Sequence, residues 1–318
     1  MELRHFRYFV ALAEELHFAR AAQRLNIEQS PLSRAIKELE EELSTQLFAR
    51  NPRGTRLTLA GEVFLDNVKR VFLVVDQAKA SAQAAAAGFR GSLRVAVSDG
   101  IVPARLSILL AQNRLEEPEV EIRLFEVPLS QQLKGLRDDL YDAGFSRSDD
   151  IGDGLKATPV WQDPLVVALP ARHPLLAFGA VPLASVLEYP LVLCHPEACE
   201  GHYKQIDRIL RAANRDYIVA DHVASHEVML ALVAAGYGIG LACEAQFAYT
   251  RETEIAIRPL AGNTPMLTTY LLHPDDAPFS QLESFTTRAM NAGARAHHLP
   301  PLHAQSRLDA RYRFTWPS

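Results

Sequence analysis

Gln29, Ser30, Ser33, Arg34 and Lys37 fall on one side of a helical repeat whose other side carries Leu32, Ile36, Leu39 and Leu43. The four apolar residues recur at i, i+4, i+7 and i+11 and must face a core. The polar five then share the outer face, with Gln29 at its N-terminal end. Gln and Arg hydrogen-bond base edges bidentately and Ser and Lys reach phosphates, so this face suits the major groove of DNA. Pro31 lies in the first turn, where its missing N–H costs nothing. A basic stretch, Arg53-Gly54-Thr55-Arg56, follows as a candidate hairpin tip. Pattern alone also fits an amphipathic helical pair with a solvated charged face.

A second chemically capable set lies just after predicted strand ends, where ligands gather in α/β folds. Ser98 and Asp99 follow one strand, Pro128, Leu129 and Ser130 a second, Arg147 a third and His195 a fourth; Ser225 and His226 open a later helix. Hydroxyls, helix N-termini and one guanidinium suit a carboxylate. The expected ligand contacts are therefore Ser98, Asp99, Leu129, Ser130, Arg147, His195 and His226. Helix capping is the alternative for each serine, and a surface ion pair with Asp149 or Asp150 the alternative for Arg147. Cys194, His195, Cys199 and His202 are close enough in sequence to ligate zinc, and the two cysteines to form a redox switch. Cys194 ends an apolar strand and the spacing is not C-x-x-C, so the leading expectation includes no metal or other cofactor.

Several elements must position these residues. Residues 2–16 place Leu3, Phe6, Phe9, Val10, Ala13 and Leu16 on one helical face as scaffold. A helix over 18–25, a turn at Asn26-Ile27-Glu28, a helix over 29–43 and the basic hairpin follow. That order places one helix in a DNA major groove. Residues 58–87 contain no proline, open at Thr58, a capping residue, and close at Gly88. Within them Phe64, Val68, Val71, Val75, Ala78, Ala82 and Ala85 step by four and three residues, a heptad seam on a rod of about 45 Å. Packing against its own domain is the alternative for this helix; self-pairing along the seam predicts two reading heads and a palindromic site.

From Ser92 the pattern alternates. Leu93, Val95 and Val97 mark a strand, followed by a helix over 103–114, a strand over 120–127, a helix over 130–138 and a strand over 143–146. Strands over 164–170, 190–194, 217–224 and 238–244 continue the series with helices between. This predicts open α/β sheets with parallel strands. Segments 161–164 and 265–268 read as paired crossings between two lobes. The glycines of 234–241 follow a helix and precede a strand, so they read as a helix stop rather than a dinucleotide loop. Residues 295–318 have no clear periodicity and read as a flexible tail.

The chain has 318 residues, a formal net charge of -5, 48% hydrophobic and 22% charged residues. That is an ordinary globular balance, so any DNA contact must come from a local patch. Three cysteines, unevenly spaced, suggest a reducing compartment rather than a disulfide framework. The charged N-terminus is no signal peptide. The run 228–243, broken by three glycines, is too short to span a bilayer. A soluble cytoplasmic protein with no membrane partner is expected. No G-x-S-x-G, H-E-x-x-H or P-loop is present, so an enzyme is not expected. A solute-binding protein would explain α/β lobes but not the helical first third.

The string Ala21-Ala22-x-x-Leu25-x-x-x-Gln29-Ser30-Pro31-Leu32-Ser33-Arg34-x-Ile36-x-x-Leu39-Glu40-Glu41-Glu42-Leu43-x-x-x-Leu47-Phe48-x-Arg50 resembles the LysR-type transcriptional regulators, as does Arg53…Leu57-Thr58-x-Ala60-Gly61. Ser30 stands where proline is commoner. The resemblance implies an α/β multi-domain protein. An N-terminal winged helix-turn-helix (1–58) and a long linker helix (59–88) would precede a two-lobed α/β effector domain of periplasmic-binding-protein type (91–294). Its first lobe would take 91–161 and 268–294, its second 162–267. The resemblance also makes Gln29, Ser30, Pro31, Ser33 and Arg34 recognition-helix contacts and Arg53 a wing contact. It implies double-stranded DNA with a palindromic operator, RNA polymerase and further copies of the chain, as a dimer of dimers, as partners. Asp142-Ala143-Gly144-Phe145-x-Arg147 and the opening Met1-Glu2-Leu3-Arg4-His5-Phe6-Arg7-Tyr8-Phe9-Val10 are similar to the branch that answers to benzoate, muconate and chlorocatechol-derived acids. A shorter loop between Val97 and Pro103, and Leu129 in place of a threonine, depart from that branch. What carries over is a small organic acid, aromatic or dicarboxylic, as effector. A redox- or metal-responsive regulator using Cys194 and Cys199 is the alternative.

Overall fold

The computed structural model describes residues 1–51, 54–98, 100–247, 254–275 and 279–296. The chain divides into two compact units, residues 1–86 and 87–318.

The first unit runs α1 (Leu3–Glu15), α2 (Phe18–Arg24), α3 (Gln29–Glu42), β1 (Phe48–Asn51), β2 (Gly54–Leu57) and α4 (Leu59–Ala86). The amide of Glu2 donates to His5 Nδ1 at 3.2 Å where α1 begins, and Leu16, at φ 49°, ends it. His17 Nδ1 accepts the Arg20 amide at the start of α2. Asn26, at φ 54°, makes the left-handed turn before α3, a conformation its short polar side chain tolerates. Phe9, Leu12, Leu32, Ile36, Leu39, Leu47 and Phe48 form the core between these elements.

The wing is fastened to α3 by one carboxylate. Glu40 is buried, and its Oε1 accepts the amides of Leu47 at 2.8 Å and Phe48 at 3.0 Å. The acidic run that follows the recognition face is thus partly structural. Thr58 caps α4 by accepting the Gly61 amide at 3.0 Å, and its hydroxyl donates to Gln46 O at 2.8 Å. A Cβ on Gly61 would stand 2.2 Å from Leu47 O, so only glycine fits this approach.

The heptad seam divides in two. Phe64, Val68 and the off-seam Leu65 and Phe72 pack into the core of their own unit, and Val71, Ala78, Ala82 and Ala85 stay exposed. The early seam positions are taken up intramolecularly because α4 lies against α1.

The second unit runs β3 (Gly91–Val97), α5 (Pro103–Glu116), β4 (Val120–Glu126), α6 (Leu129–Arg137), β5 (Ala143–Ser146), β6 (Leu155–Pro170), α7 (Leu183–Val186), β7 (Leu191–Cys194), α8 (Glu200–Ala212), β8 (Val219–Val223), α9 (His226–Ala234), β9 (Ile239–Cys243), β10 (Ile255–Pro259), β11 (Met266–Pro274) and α10 (Ser280–Ala296). The strands hydrogen-bond in the order β4-β3-β5-β11-β6-β9-β7-β8, with β10 also on β6. β3 is parallel to β4 and β5, and β7 is parallel to β8 and β9. The centre is antiparallel, which the expectation of parallel sheets missed. β6 carries the chain out of the first lobe and β11 brings it back, so the two must run in opposite directions. Their register pairs Met266 with Pro164, Leu267 with Asp163, Thr268 with Gln162 and Thr269 with Trp161.

β6 is also far longer than the strand expected over 164–170. It is buried on both faces in the second lobe: Leu165, Val167 and Leu169 meet Ile206 and Leu210 of α8, and Val166 and Ala168 meet Met229 and Val233 of α9. In the first lobe Phe145 stacks on Trp161 with centroids 4.7 Å apart, and Phe285 and Ala289 of α10 cover them. Gly236, at φ +80°, stops α9, with its amide on Val233 O and that of Tyr237 on Leu232 O. α10 reaches Ala296, past the expected start of the tail at 295; the tail from 297 onward lies outside the described residues.

Candidate DNA interface and ligand cavity

On α3, Gln29, Ser30, Pro31, Arg34 and Lys37 are exposed and Ser33 is half-buried. The apolar face beneath is fully used by the core, so these side chains are the surface that the helix presents. Neighbouring acids are diverted from it. Glu42 pairs with the N-terminal ammonium at 2.8 Å, Glu38 lies 3.8 Å from His5 and Glu40 is internal. Lys37 shares Glu41 at 3.3 Å. Arg34 has no ion-pair partner among the described residues. Arg20 and Arg24, by contrast, are tied to Glu14 and Glu15. A nearly neutral unit therefore still offers a cationic, hydrogen-bonding face. Arg53 lies outside the described residues; Arg56, on β2, is exposed.

In the second unit a cavity of about 510 Å³ opens between the ends of β3 and β4 and the elements β7, α8, α9 and β9. Val97, Ile101, Leu106, Leu124 and Met229 give it apolar walls. Ser98, Cys194, Cys199, His202, Ser225, His226, Glu126, Glu227 and Gln246 give it polar ones. Of the contacts expected from sequence, Ser98 and His226 line it. Ser98 Oγ donates to Phe145 O at 3.1 Å, and Ser225 caps α9 by accepting the Val228 amide at 3.2 Å.

Leu129 is buried in the packing under α6 and Ser130 is exposed on that helix; neither is in the lining. His195 is outside it too, with Nδ1 accepting the Glu197 and Ala198 amides. Asp99 lies outside the described residues.

Arg147 is also outside the lining: it is buried behind Gly100 and Cys243, and its surroundings are unusual for a guanidinium. Nε donates to Gly100 O at 2.7 Å and Nη2 to the Cys243 sulfur at 3.1 Å, and Nη1 has no partner among the described residues. The carboxylates considered for it are engaged elsewhere: Asp149 accepts from the Tyr270 hydroxyl and Asp150 pairs with Lys204. A buried cation without a counter-charge is expensive unless something compensates it.

Two imidazoles share this environment. His202 is buried and its Nδ1 has no partner among the described residues. Burial, then the Arg147 charge and His226, push its pKa down to about 3, against a backbone hydrogen bond to Leu241 that raises it. His226 Nε2 is likewise unpartnered among the described residues, and burial lowers that histidine's pKa. The Cys243 thiol is pushed up by burial, with Arg147 opposing. His202 was visible in the sequence only as a zinc candidate, and nothing local signalled that α8 would turn it inward. The zinc reading itself is corrected: among the described residues no three His, Cys, Asp or Glu side chains are grouped to hold a metal. The three cysteines form no disulfide.

A winged helix-turn-helix with an exposed cationic recognition helix, together with a two-lobed α/β unit enclosing a cavity, defines a DNA-binding regulator with an effector-binding domain. Residues 3–62 match the bacterial regulatory helix-turn-helix protein, lysR family, and residues 86–290 match the LysR substrate binding domain. The chain is 33% identical over 275 residues to the transcriptional regulator YnfL of Escherichia coli (strain K12), covering 86% of this chain and 92% of that one. It is 32% identical over 244 residues to BenM of Acinetobacter baylyi, covering 76% and 80%. The crystal structure of full-length CbnR in complex with its target DNA matches with a TM-score of 0.77 at 25% identity, covering 92% of this chain and 100% of that one. The chain belongs to the LysR family of transcriptional regulators and is not an enzyme. YnfL and BenM are about equally similar, so identity does not single out one branch of the family. Among the described residues no helix is long and apolar enough to cross a membrane.

Proposed function

We propose that this regulator reads a palindromic operator through Gln29, Ser30, Pro31, Ser33, Arg34 and Lys37, with Arg53 as wing contact, and responds to a small organic acid, aromatic or dicarboxylic, in the cavity beside Arg147. The observation that carries the effector class is the buried guanidinium whose Nη1 lacks an acceptor among the described residues, next to an apolar-walled cavity. A carboxylate supplies both the counter-charge and the acceptor. Arg147 follows β5 in one lobe and bonds Cys243 of β9 in the other, so an anion there acts on groups from both lobes. Differential binding to two lobe arrangements shifts their populations. In an oligomer paired along the exposed part of α4, a dimer of dimers, this shift changes the spacing or bend of bound DNA, and with it contact with RNA polymerase. The resemblance to regulators of benzoate-type acids supports the same ligand class.

Thermal-shift and calorimetric titration of the full chain with aromatic and dicarboxylic acids tests this reading. Binding that is lost in Arg147→Gln, with operator affinity retained, is the expected result; binding indifferent to Arg147 rejects it.

A redox alternative draws on Cys194 and Cys199, which line the same cavity. Induction unchanged by Cys194→Ser with Cys199→Ser ends it.

A further inference from the structure

Resting on the reading that lobe arrangement controls the bound DNA, and on no particular ligand, we infer that α8 is the latch that holds the two lobes in this arrangement, with Gln205 as its positioning residue.

α8 is rooted in the second lobe. Ile206 and Leu210 are buried there with Leu165, Val167, Leu169 and Leu191. Gly201 and Gln205 are four residues apart and so share another face of the helix. That face meets the first lobe. A Cβ on Gly201 would lie 2.9 Å from Ser148 N and 3.0 Å from Arg147 C. Both are backbone atoms, so α8 approaches the chain just after β5 at a distance that a larger residue does not permit. Lys204 reaches Asp150 at 3.3 Å from the same turn.

Gln205 completes a strand ladder that the sheet leaves unfinished. β5 and β11 pair from Gly144 with Leu272 to Ser146 with Tyr270. β5 ends there, while β11 extends back to Met266. The half-buried Gln205 takes up the backbone groups that lie beyond. Its Oε1 accepts the Thr268 amide at 2.9 Å, and its Nε2 donates to Thr268 O at 2.8 Å and to Arg147 O. A side-chain amide has one acceptor oxygen and two N–H donors. Both donors are used, and the oxygen faces the one N–H. The group thus offers β11 what a further strand residue would.

These bonds tie a helix of the second lobe to β11 and the end of β5 in the first. A rotation of the lobes that leaves both cores intact must break them. Cys199 and His202, at the start of the same helix, line the cavity. A ligand that presses on this turn therefore acts on the latch one turn away.

The experiment is hydrogen exchange of the full chain, followed by mass spectrometry, with Gln205→Met, Gln205→Glu and Gly201→Ala. In Gln205→Met, exchange over residues 147–150 and 200–205 should rise about ten-fold, as for the loss of a hydrogen bond or two. β3 and β9, inside the two lobes, should not change. Gln205→Glu sets a carboxylate against two carbonyls and should open the seam further, and Gly201→Ala should open it by displacing the helix. Gln205→Met is nearly isosteric, so the idea stays testable if Gly201→Ala does not fold. Unchanged exchange at the seam, or a rise spread evenly through both lobes, overturns the latch. The same proteins are then bound to a duplex that the wild-type chain selects from a random pool, labelled with a fluorophore at each end. Energy transfer between the ends should shift in Gln205→Met with affinity nearly unchanged. A loosened seam with unaltered transfer upholds the latch and removes the reading that lobe arrangement controls the DNA.

Discussion

Asp163 and Arg105 form a buried ion pair where the chain first crosses between the lobes. Arg105 Nε donates to Asp163 Oδ1 at 2.9 Å, with the two side chains 5% and 2% exposed. The same guanidinium donates to Gln162 O on β6 and Gly293 O on α10. One side chain at the start of α5 thereby fixes the outgoing crossing and the closing helix.

Breaking that pair should be costly and replacing it should not. Arg105→Met or Asp163→Leu alone leaves a buried group without its partner and should lower stability by about 3–5 kcal/mol. Arg105→Met with Asp163→Leu should lose much less than the two single losses added. Urea unfolding of all three variants measures the coupling; additive losses would show that the pair does not act as a unit.

Glu40→Ala should destabilise the winged helix by roughly 1–3 kcal/mol, since it strips two buried amides of their acceptor. Glu40→Gln, which keeps a carbonyl oxygen, should lose less. Operator affinity should fall with Glu40→Ala even though Glu40 is buried away from DNA, because β1 begins at those amides. Melting curves and fluorescence anisotropy on operator DNA check the two effects separately.

Arg34 and Lys37 should behave differently on DNA. Arg34 is exposed and without an ion-pair partner among the described residues; if it reads base edges as proposed, Arg34→Ala should cost about 1–3 kcal/mol and relax sequence preference. Lys37 already shares Glu41, so Lys37→Ala should weaken operator and random DNA alike and reduce the salt dependence. Titration of both variants on both DNAs at several salt concentrations separates base reading from phosphate contact.

Acid should destabilise the effector-binding unit through His202. Its folded pKa, about 3, lies below the ordinary histidine value of 6.5. Between those values the unfolded chain binds a proton that the folded chain refuses. The stabilising contribution is complete above pH 6.5 and declines as pH falls toward 3, by at most about 1.4 kcal/mol per pH unit. His202→Phe should flatten this part of the stability–pH curve, measured by urea unfolding. An unchanged slope would mean that His202 takes up its proton without unfolding.

The residues themselves determined the order of elements and the exposed polar face of α3. Leu32, Ile36, Leu39 and Leu43 leave the opposite side of α3 little choice but to face outward, and helical and strand periods are local properties of the chain. Segments 161–164 and 265–268, read as paired crossings, lie within two longer strands, β6 and β11, whose register pairs them. What only the tertiary structure decided involves partners distant in sequence. Glu40 looked like one more acid in a solvated run until the wing's amides found it. Phe64 and Val68 looked like an intermolecular seam until α1 covered them. Arg105 and Asp163 gave no local sign of each other, and His202 became a cavity group only when α8 packed beside Gly100. Burial and charge compensation depend on which surfaces meet, and no repeat along the chain encodes that.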